Sequence, residues 1–328
     1  MNTPSSAIAP DNKLQFIDCL RGIAIIMVVF NHANWHLPDM VFPVQLLSKY
    51  GQMGVQLFFV ASAFTLCLST VNRSGQGENL KTFYLRRYFR IAPLYYIGIP
   101  LYFIYFSIIE PLIEGRSMGI SSTYTVFNVL ANVFFVNDFI PGPANNRVVP
   151  GGWSIGTEMT FYLIFPFLFL LYEKIKHRFW LILSLPFLGV VLSFVTIKIL
   201  ALIAGKVGFD TFYYYNTNNK FLYFNIVAQL PVFLTGMTLF YVAKRINFLS
   251  RLQKLGLGFL FIGLTITALV CYVYIPHIIS VVPFVPALSF FCLFLLYKHV
   301  PRLSNRLLAR IGQLSFSIYL LHFIFVYE

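Results

Sequence analysis

Residues 16–34 read FIDCLRGIAIIMVVFNHAN. As a helix rising 1.5 Å per residue, this stretch covers nearly the ~30 Å hydrocarbon thickness of a bilayer. Polar residues preceding it and the lack of a small-residue cleavage pattern mark it as a retained first helix and not a removed signal peptide. Its polar members are Asp18, Arg21, Asn31 and His32. Ionisable groups are expensive inside a membrane, so each is a functional candidate by default. Arg21 and His32 stand three helical turns apart, on nearly the same face and roughly 16 Å apart along the axis.

Working outward, the same character continues to the C-terminus. Hydrophobic residues make up 58% of the 328 positions and charged residues 11%, against roughly 25% charged in a soluble domain, and mean hydropathy is +0.75. Apolar segments at 16–34, 52–71, 90–110, 122–140, 154–173, 179–203, 221–243, 255–276, 278–298 and 312–328 predict an all-α polytopic transmembrane bundle of about ten segments, folded as a single domain over 1–328. The net charge of +13 forms no continuous patch, so nucleic acid is not an expected partner and the lipid bilayer is. Cys19, Cys67, Cys271 and Cys292 lie in apolar segments without metal-ligand spacing, and no metal site is expected.

Most of the 24 Lys and Arg fall between the apolar segments. The clusters are Lys13 and Arg21; Arg73, Lys81, Arg86, Arg87 and Arg90; Lys174, Lys176 and Arg178; Lys244, Arg245, Arg251 and Lys254; Lys298, Arg302, Arg306 and Arg310. The positive-inside rule puts all of them, and the N-terminus, in the cytoplasm. Three segments then separate the 73–90 cluster from the 174–178 cluster, where an even number is required. The segment 122–140 carries Asn128, Asn132, Asn137 and Asp138 and runs into PGPANNRVVPGG. It is the predicted exception, re-entrant or enclosed in a protein-lined cavity.

Two readings stand for each polar group of the first span. Asp18 and Arg21, at i and i+3, either pair at the membrane surface or serve a site. His32 is either a hydrogen-bonded interior histidine or a base, imidazole being suited to taking a hydroxyl proton near neutral pH.

Arg21, ten intervening residues and His32 resemble the first-helix signature of the acyltransferase-3 family. Four further segments follow in the family's order: GQMGVQLFFVASAFTL at 51–66, RRYFRIAPLYY at 86–96, GGWSIGTEMTFYLIFP at 151–166 and IGQLSFSIYLLH at 311–322. Ala63 replaces a glycine usual in the family, a change expected to alter packing more than chemistry. The chain stops at Glu328 where members of the family continue, which reads as a truncated C-terminus, and the hydrolase-like domain that some relatives carry is not expected in this sequence.

The resemblance implies a membrane O-acyltransferase that moves an acyl group, above all acetyl, from acetyl-CoA in the cytoplasm to a hydroxyl of an extracytoplasmic carbohydrate: O-antigen, another surface polysaccharide such as lipopolysaccharide, or a lipid-linked glycan. A bacterial inner membrane is its expected location. His32 is then the base or acyl carrier, and Glu158 its catalytic partner at similar depth. Arg21, Arg86, Arg87 and Arg90 would bind the phosphates of coenzyme A, guanidinium being a bidentate phosphate ligand; the bland reading is that they set topology. Arg86 and Arg90 share a face at i and i+4. Ser154 is a candidate N-cap with Glu158 in the first turn, where a carboxylate also suits the helix dipole. Asn31, Trp153, Ser154, Tyr319 and His322 are candidate cavity residues. Trp153 would serve equally as an interfacial anchor, and Ser315, Tyr319 and His322 equally as a polar packing seam. A transporter or flippase with Arg21, His32 and Glu158 along its path is the rival reading, and a non-catalytic assembly subunit a second.

Overall fold

The first apolar stretch folds as one continuous helix, α1 (Asn12–Ala33). The computed structural model describes residues 12–34, 41–74, 79–140, 147–206, 221–274 and 281–326, all as helices and turns. After α1 come α2 (Phe42–Tyr50), α3 (Gly54–Ser74), α4 (Leu80–Ile104), α5 (Glu110–Ile113), α6 (Val126–Val133), α7 (Gly152–Ile175), α8 (Phe179–Lys206), α9 (Phe221–Phe224), α10 (Ile226–Arg245), α11 (Arg251–Tyr274), α12 (Phe284–His299), α13 (Arg306–Gln313) and α14 (Ser315–Val326). The C-terminal Glu328 and residues 141–146 of the irregular stretch lie outside the described residues.

Among the described residues, seven stretches are long and apolar enough to cross a membrane, Gln15–Ala33, Phe42–Arg73, Leu80–Ile113, Gly152–Ile175, Phe179–Leu200, Leu222–Arg245 and Arg251–Tyr274, and the bent pair Arg306–Gln313 with Ser315–Val326 makes an eighth if it counts as one span. Each of the other three expected segments departs for a local reason. The described part of the segment 278–298 holds the sixteen-residue α12. The segment 312–328 is interrupted after Gln313, and α13 and α14 meet at 76°. The segment 122–140 yields α6, whose eight residues rise about 12 Å. Thr125 caps the start of α6, and Phe135, in the left-handed region at φ 56°, follows its end. A short 3₁₀ turn, Asn137–Phe139, completes the segment. Among the described residues, α4 and α7 are the long helices between the 73–90 and 174–178 clusters, and this even number removes the parity conflict.

Side-chain contacts gather the basic clusters at one end of the bundle. Arg87 donates to Ser69 Oγ at 2.6 Å, joining the start of α4 to the end of α3. Arg245 donates to the Lys176 carbonyl, and Lys298 to the carbonyls of Ala243 and Ile246. At the centre lies α10, apolar on every side and buried along almost its whole length, as a helix hydrophobic all round must be. The outermost span, α11, exposes Leu252, Phe259 and Ile266. The methyl of Ala63 faces α10 at Gly236, where an added Cβ would lie 2.8 Å from it and 2.5 Å from the Val60 carbonyl. A glycine on the opposite helix thus makes room for the Ala63 methyl.

Glycines also set how closely α13 lies on α1. A Cβ on Gly312 would stand 1.8 Å from the Asp18 carbonyl, and one on Gly22 2.2 Å from the Leu308 carbonyl. Small residues of this kind allow backbones to touch in membrane helix pairs. Cys19 Sγ to the Asn305 carbonyl (3.2 Å) and Gln313 Nε2 to Asp18 Oδ2 (3.2 Å) tie the same crossing. Gly312→Ala is expected to destabilise the protein by about 1–3 kcal/mol, the usual cost of overpacking. Thermal unfolding in detergent measures this, and an unchanged midpoint would contradict the close approach.

Candidate active site

Two cavities open among α1, α3, α4, α7 and α14, and they meet at a shared pair of arginines. The first, about 380 Å³, is lined by Arg21, Arg73, Arg87 and Arg90, with Asp18 and Ser69 beside them. Four guanidinium groups against one carboxylate make it a strongly cationic vestibule at the basic end of the bundle. The second, about 80 Å³, is lined by Arg21 and Arg90 again, now with Ser62, Glu158, Tyr162 and Tyr319. Arg21 and Arg90 form the neck between them.

The sequence places these groups by simple periodicity. Arg87 and Arg90 sit one turn apart on α4 and both face the vestibule. Arg86 is exposed and lines neither cavity. The arginine pair that shares a cavity is therefore the i, i+3 pair 87 and 90, and not the expected i, i+4 pair 86 and 90. Arg73, counted in the sequence only as topology charge, joins them from the end of α3. Arg21 and Asp18 do approach, but at 3.9 Å, and Gln313 takes another oxygen of Asp18. Arg21 is thus available to both cavities.

Glu158 is held from two sides. Its Oε1 accepts from Ser62 Oγ and from Tyr162 OH, each at 2.5 Å, and Arg21 and Arg90 both lie within its electrostatic reach. Ser62 and Tyr162 went unassigned in the sequence, although Tyr162 stands at i+4 from Glu158 inside the quoted motif. The N-cap of α7 is Gly151, in the left-handed region at φ 77°, and not Ser154. Helix α7 therefore starts earlier than expected and Glu158 falls in its second turn, past the range of the end dipole. A Cβ on Gly151 would also stand 2.9 Å from Tyr319 OH. Ser154 lines the chamber and shares a hydrogen bond with Tyr319 OH at 2.8 Å.

His32 ends up with a different neighbour. Its Nδ1 lies 2.9 Å from Nε2 of His322, and His322 Nδ1 lies 2.8 Å from the Tyr319 carbonyl. The Phe323 ring packs on both imidazoles, 4.5 Å from His32 and 4.1 Å from His322. The expected closeness of His32 and Glu158 is indirect: Tyr319 spans the gap, with its hydroxyl in the Glu158 chamber and its carbonyl on His322. The seam of Ser315, Tyr319 and His322 turns inward as its spacing predicts, and Ser315 lines the chamber.

Two candidate cavity residues, Asn31 and Trp153, make packing contacts and line neither of these two cavities. Asn31 donates to the Ser48 carbonyl at 3.0 Å, and Ser48 returns a bond to the Phe30 carbonyl, fastening α1 to α2. Trp153 is buried, stacked on Phe224 at 4.4 Å and edge-on to Phe59, and lines neither cavity. Burial also excludes it as an interfacial anchor. Asp138, fully buried, accepts from Thr157 Oγ1 at 2.7 Å and the Ile226 amide at 3.2 Å, docking the 137–139 turn onto α7 and α10. Burial pushes its carboxyl up to about 7, the mark of a structural hub kept from water. Among the described residues, no group of three His, Cys, Asp or Glu is arranged to hold a metal.

The family model described as an acyltransferase domain, acyltransferase-3, matches residues 14–327. The peptidoglycan O-acetyltransferase OatA of Listeria monocytogenes is 33% identical over 166 residues, covering 48% of this chain and 24% of the relative. The O-acetyltransferase OatA of Staphylococcus aureus is 31% identical over 171 residues, covering 50% of this chain and 25% of the relative. The acyltransferase MdmB of Streptomyces mycarofaciens is 28% identical over 137 residues, 40% of this chain and 32% of the relative. The matches thus cover between a quarter and a third of these relatives' own length. No solved structure matches. With a match over almost its whole length, and with the five motifs that first suggested it standing in order around one pair of cavities, the chain belongs to the acyltransferase-3 family.

Proposed function

We propose that this protein is a membrane O-acetyltransferase that takes acetyl from cytoplasmic acetyl-CoA and delivers it to a hydroxyl of an extracytoplasmic carbohydrate. The observation that carries this reading is the neck: Arg21 and Arg90 belong both to a vestibule suited to phosphate groups and to a chamber suited to acyl chemistry. The vestibule lies at the basic end, which the positive-inside rule assigns to the cytoplasm. Arg73, Arg87 and Arg90 hold the phosphates of the nucleotide there, and the pantetheine arm passes the neck with its thioester leading. Only the acyl group then crosses the bilayer.

At the far side His32 accepts the proton of the acceptor hydroxyl as its oxygen attacks the thioester carbonyl carbon. The new C–O bond forms, the tetrahedral intermediate collapses, the C–S bond breaks, and the thiolate leaves with the proton that His32 returns. Arg21 and Arg90, steadied by Glu158, line the neck through which the thioester passes on its way to His32, three turns further along α1. The carbohydrate class follows the Listeria monocytogenes relative, named a peptidoglycan O-acetyltransferase.

Deleting the protein from its host and analysing base-labile acetyl esters on the surface glycans tests the proposal. The expected result is loss of one ester, restored by the wild-type chain and not by His32→Ala. Glycan that keeps its esters but fails to reach the surface would overturn the proposal in favour of a flippase.

A further inference from the structure

The paired imidazoles of His32 and His322 carry more than a contact. A backbone carbonyl can only accept a hydrogen bond, so the 2.8 Å approach of His322 Nδ1 to the Tyr319 carbonyl requires a proton on Nδ1. A neutral His322 then presents a lone pair at Nε2. The only bond that Nε2 can make with His32 Nδ1, 2.9 Å away, is one in which His32 donates. With its proton fixed on Nδ1, neutral His32 bears its basic lone pair on Nε2. The direction of the chain runs from backbone to base: carbonyl, His322, His32.

We infer that His322 is the positioning residue of the reaction, setting the tautomer of His32 and stabilising the imidazolium that forms when His32 takes the acceptor proton. The inference rests on the reading of His32 as the base. In this role a neutral, hydrogen-bonded imidazole stands where other acyl-transfer sites hold a carboxylate, which suits a membrane interior: no additional charge is buried. Burial of His322 and the Phe323 ring packed on both imidazoles keep the pair in register. The remaining groups nearby are committed elsewhere. Tyr319 turns its hydroxyl to Ser154 and the Gly151 carbonyl. From α4, Tyr95 and Tyr102 give their hydroxyl protons to Asn132 and to the Leu320 carbonyl. Arg21 is three turns down α1, and Glu158 is engaged by Ser62 and Tyr162.

The test uses the full chain in detergent, with release of coenzyme A thiol from acetyl-CoA as the readout, so that water serves as acceptor. His322→Ala is expected to lower kcat on the order of a hundredfold, with KM for acetyl-CoA little changed. It also shifts the acid limb of the pH profile to lower pH, because an imidazolium that has lost its Nδ1 acceptor releases its proton more readily. His322→Gln, whose amide oxygen can accept from Nδ1–H, should recover part of the rate and return the limb toward its wild-type position. A wild-type limb in both variants, or equal loss in Ala and Gln with the profile unmoved, would overturn the inference and leave His322 a packing residue. His32→Ala run alongside separates the two claims: if it keeps full turnover, the base assignment itself fails, whatever His322 does.

Discussion

Replacing His32 with alanine should reduce acyl transfer by about 10²- to 10⁴-fold, the range over which a positioned general base acts, while the protein stays folded. The second half of that expectation is structural. α1 is fastened by groups that precede His32: Asn31 and Phe30 bond with Ser48 on α2, and Gly22 nests against α13. None of these needs the imidazole. The ring is only half-buried, so the substitution opens little cavity, and its main local effect is to take the donor away from His322 Nε2. Loss of activity with an unchanged unfolding midpoint therefore separates chemistry from stability. His32→Gln sharpens the comparison, since it keeps a donor toward His322 but has no basic nitrogen; it should be as inactive as the alanine variant. The measurement is thiol release from acetyl-CoA by purified protein, normalised to folded protein. An alanine variant with more than about a tenth of wild-type kcat would sit outside the range for a general base and move the reaction to another group.

What the sequence disclosed and what it hid divide along a physical line. Periodicity along one helix is visible in one dimension, so the common face of Arg21 and His32, and of Ser315, Tyr319 and His322, could be read directly. Charge parity is also one-dimensional, and it singled out 122–140, the segment that folds as the short α6 and a 3₁₀ turn. Hydropathy, by contrast, registers composition and not continuity. It could not register the bend after Gln313 or the shortness of α12, and so the described residues hold seven long spans, or eight with the bent pair, where hydropathy marks about ten segments. Partners distant in the chain were hidden as well. Ser62 reaches Glu158 across 96 residues and His322 reaches His32 across 290, and no spacing rule announces either. The misassigned cap at Ser154 is a subtler case, because Gly151 can enter the left-handed region and begin the helix earlier. That shift leaves Glu158 in the second turn of α7, lining the chamber, and not at a helix end where a structural role would have sufficed.

The arginines of α4 offer the second large effect, and one that tells the folded site from its sequence pattern. Arg87→Ala should raise KM for acetyl-CoA by about 10- to 100-fold, since a hydrogen bond to a charged group is worth about 1.5–3 kcal/mol. Arg86→Ala should change it by less than about threefold, the scale of an exposed charge. Both residues carry the same charge and are adjacent in the chain, so a mechanism that depended on topology or on a general positive field would treat them alike. The vestibule does not: Arg87 lines it beside Arg73 and Arg90, braced on Ser69, and Arg86 lines neither cavity. Lysine should rescue Arg87 poorly, because a point charge cannot supply the two parallel donors with which guanidinium grips a phosphate. Arg90→Ala should behave differently again. It lines the chamber as well as the vestibule, so kcat should fall together with the rise in KM, whereas Arg87→Ala leaves kcat nearly intact. Raising the salt concentration should weaken acetyl-CoA binding in the wild type and do so less in Arg87→Ala, because one screened pair has been removed. If Arg86→Ala and Arg87→Ala gave the same KM, the vestibule would lose its claim to the nucleotide, and the donor would have to enter by another route.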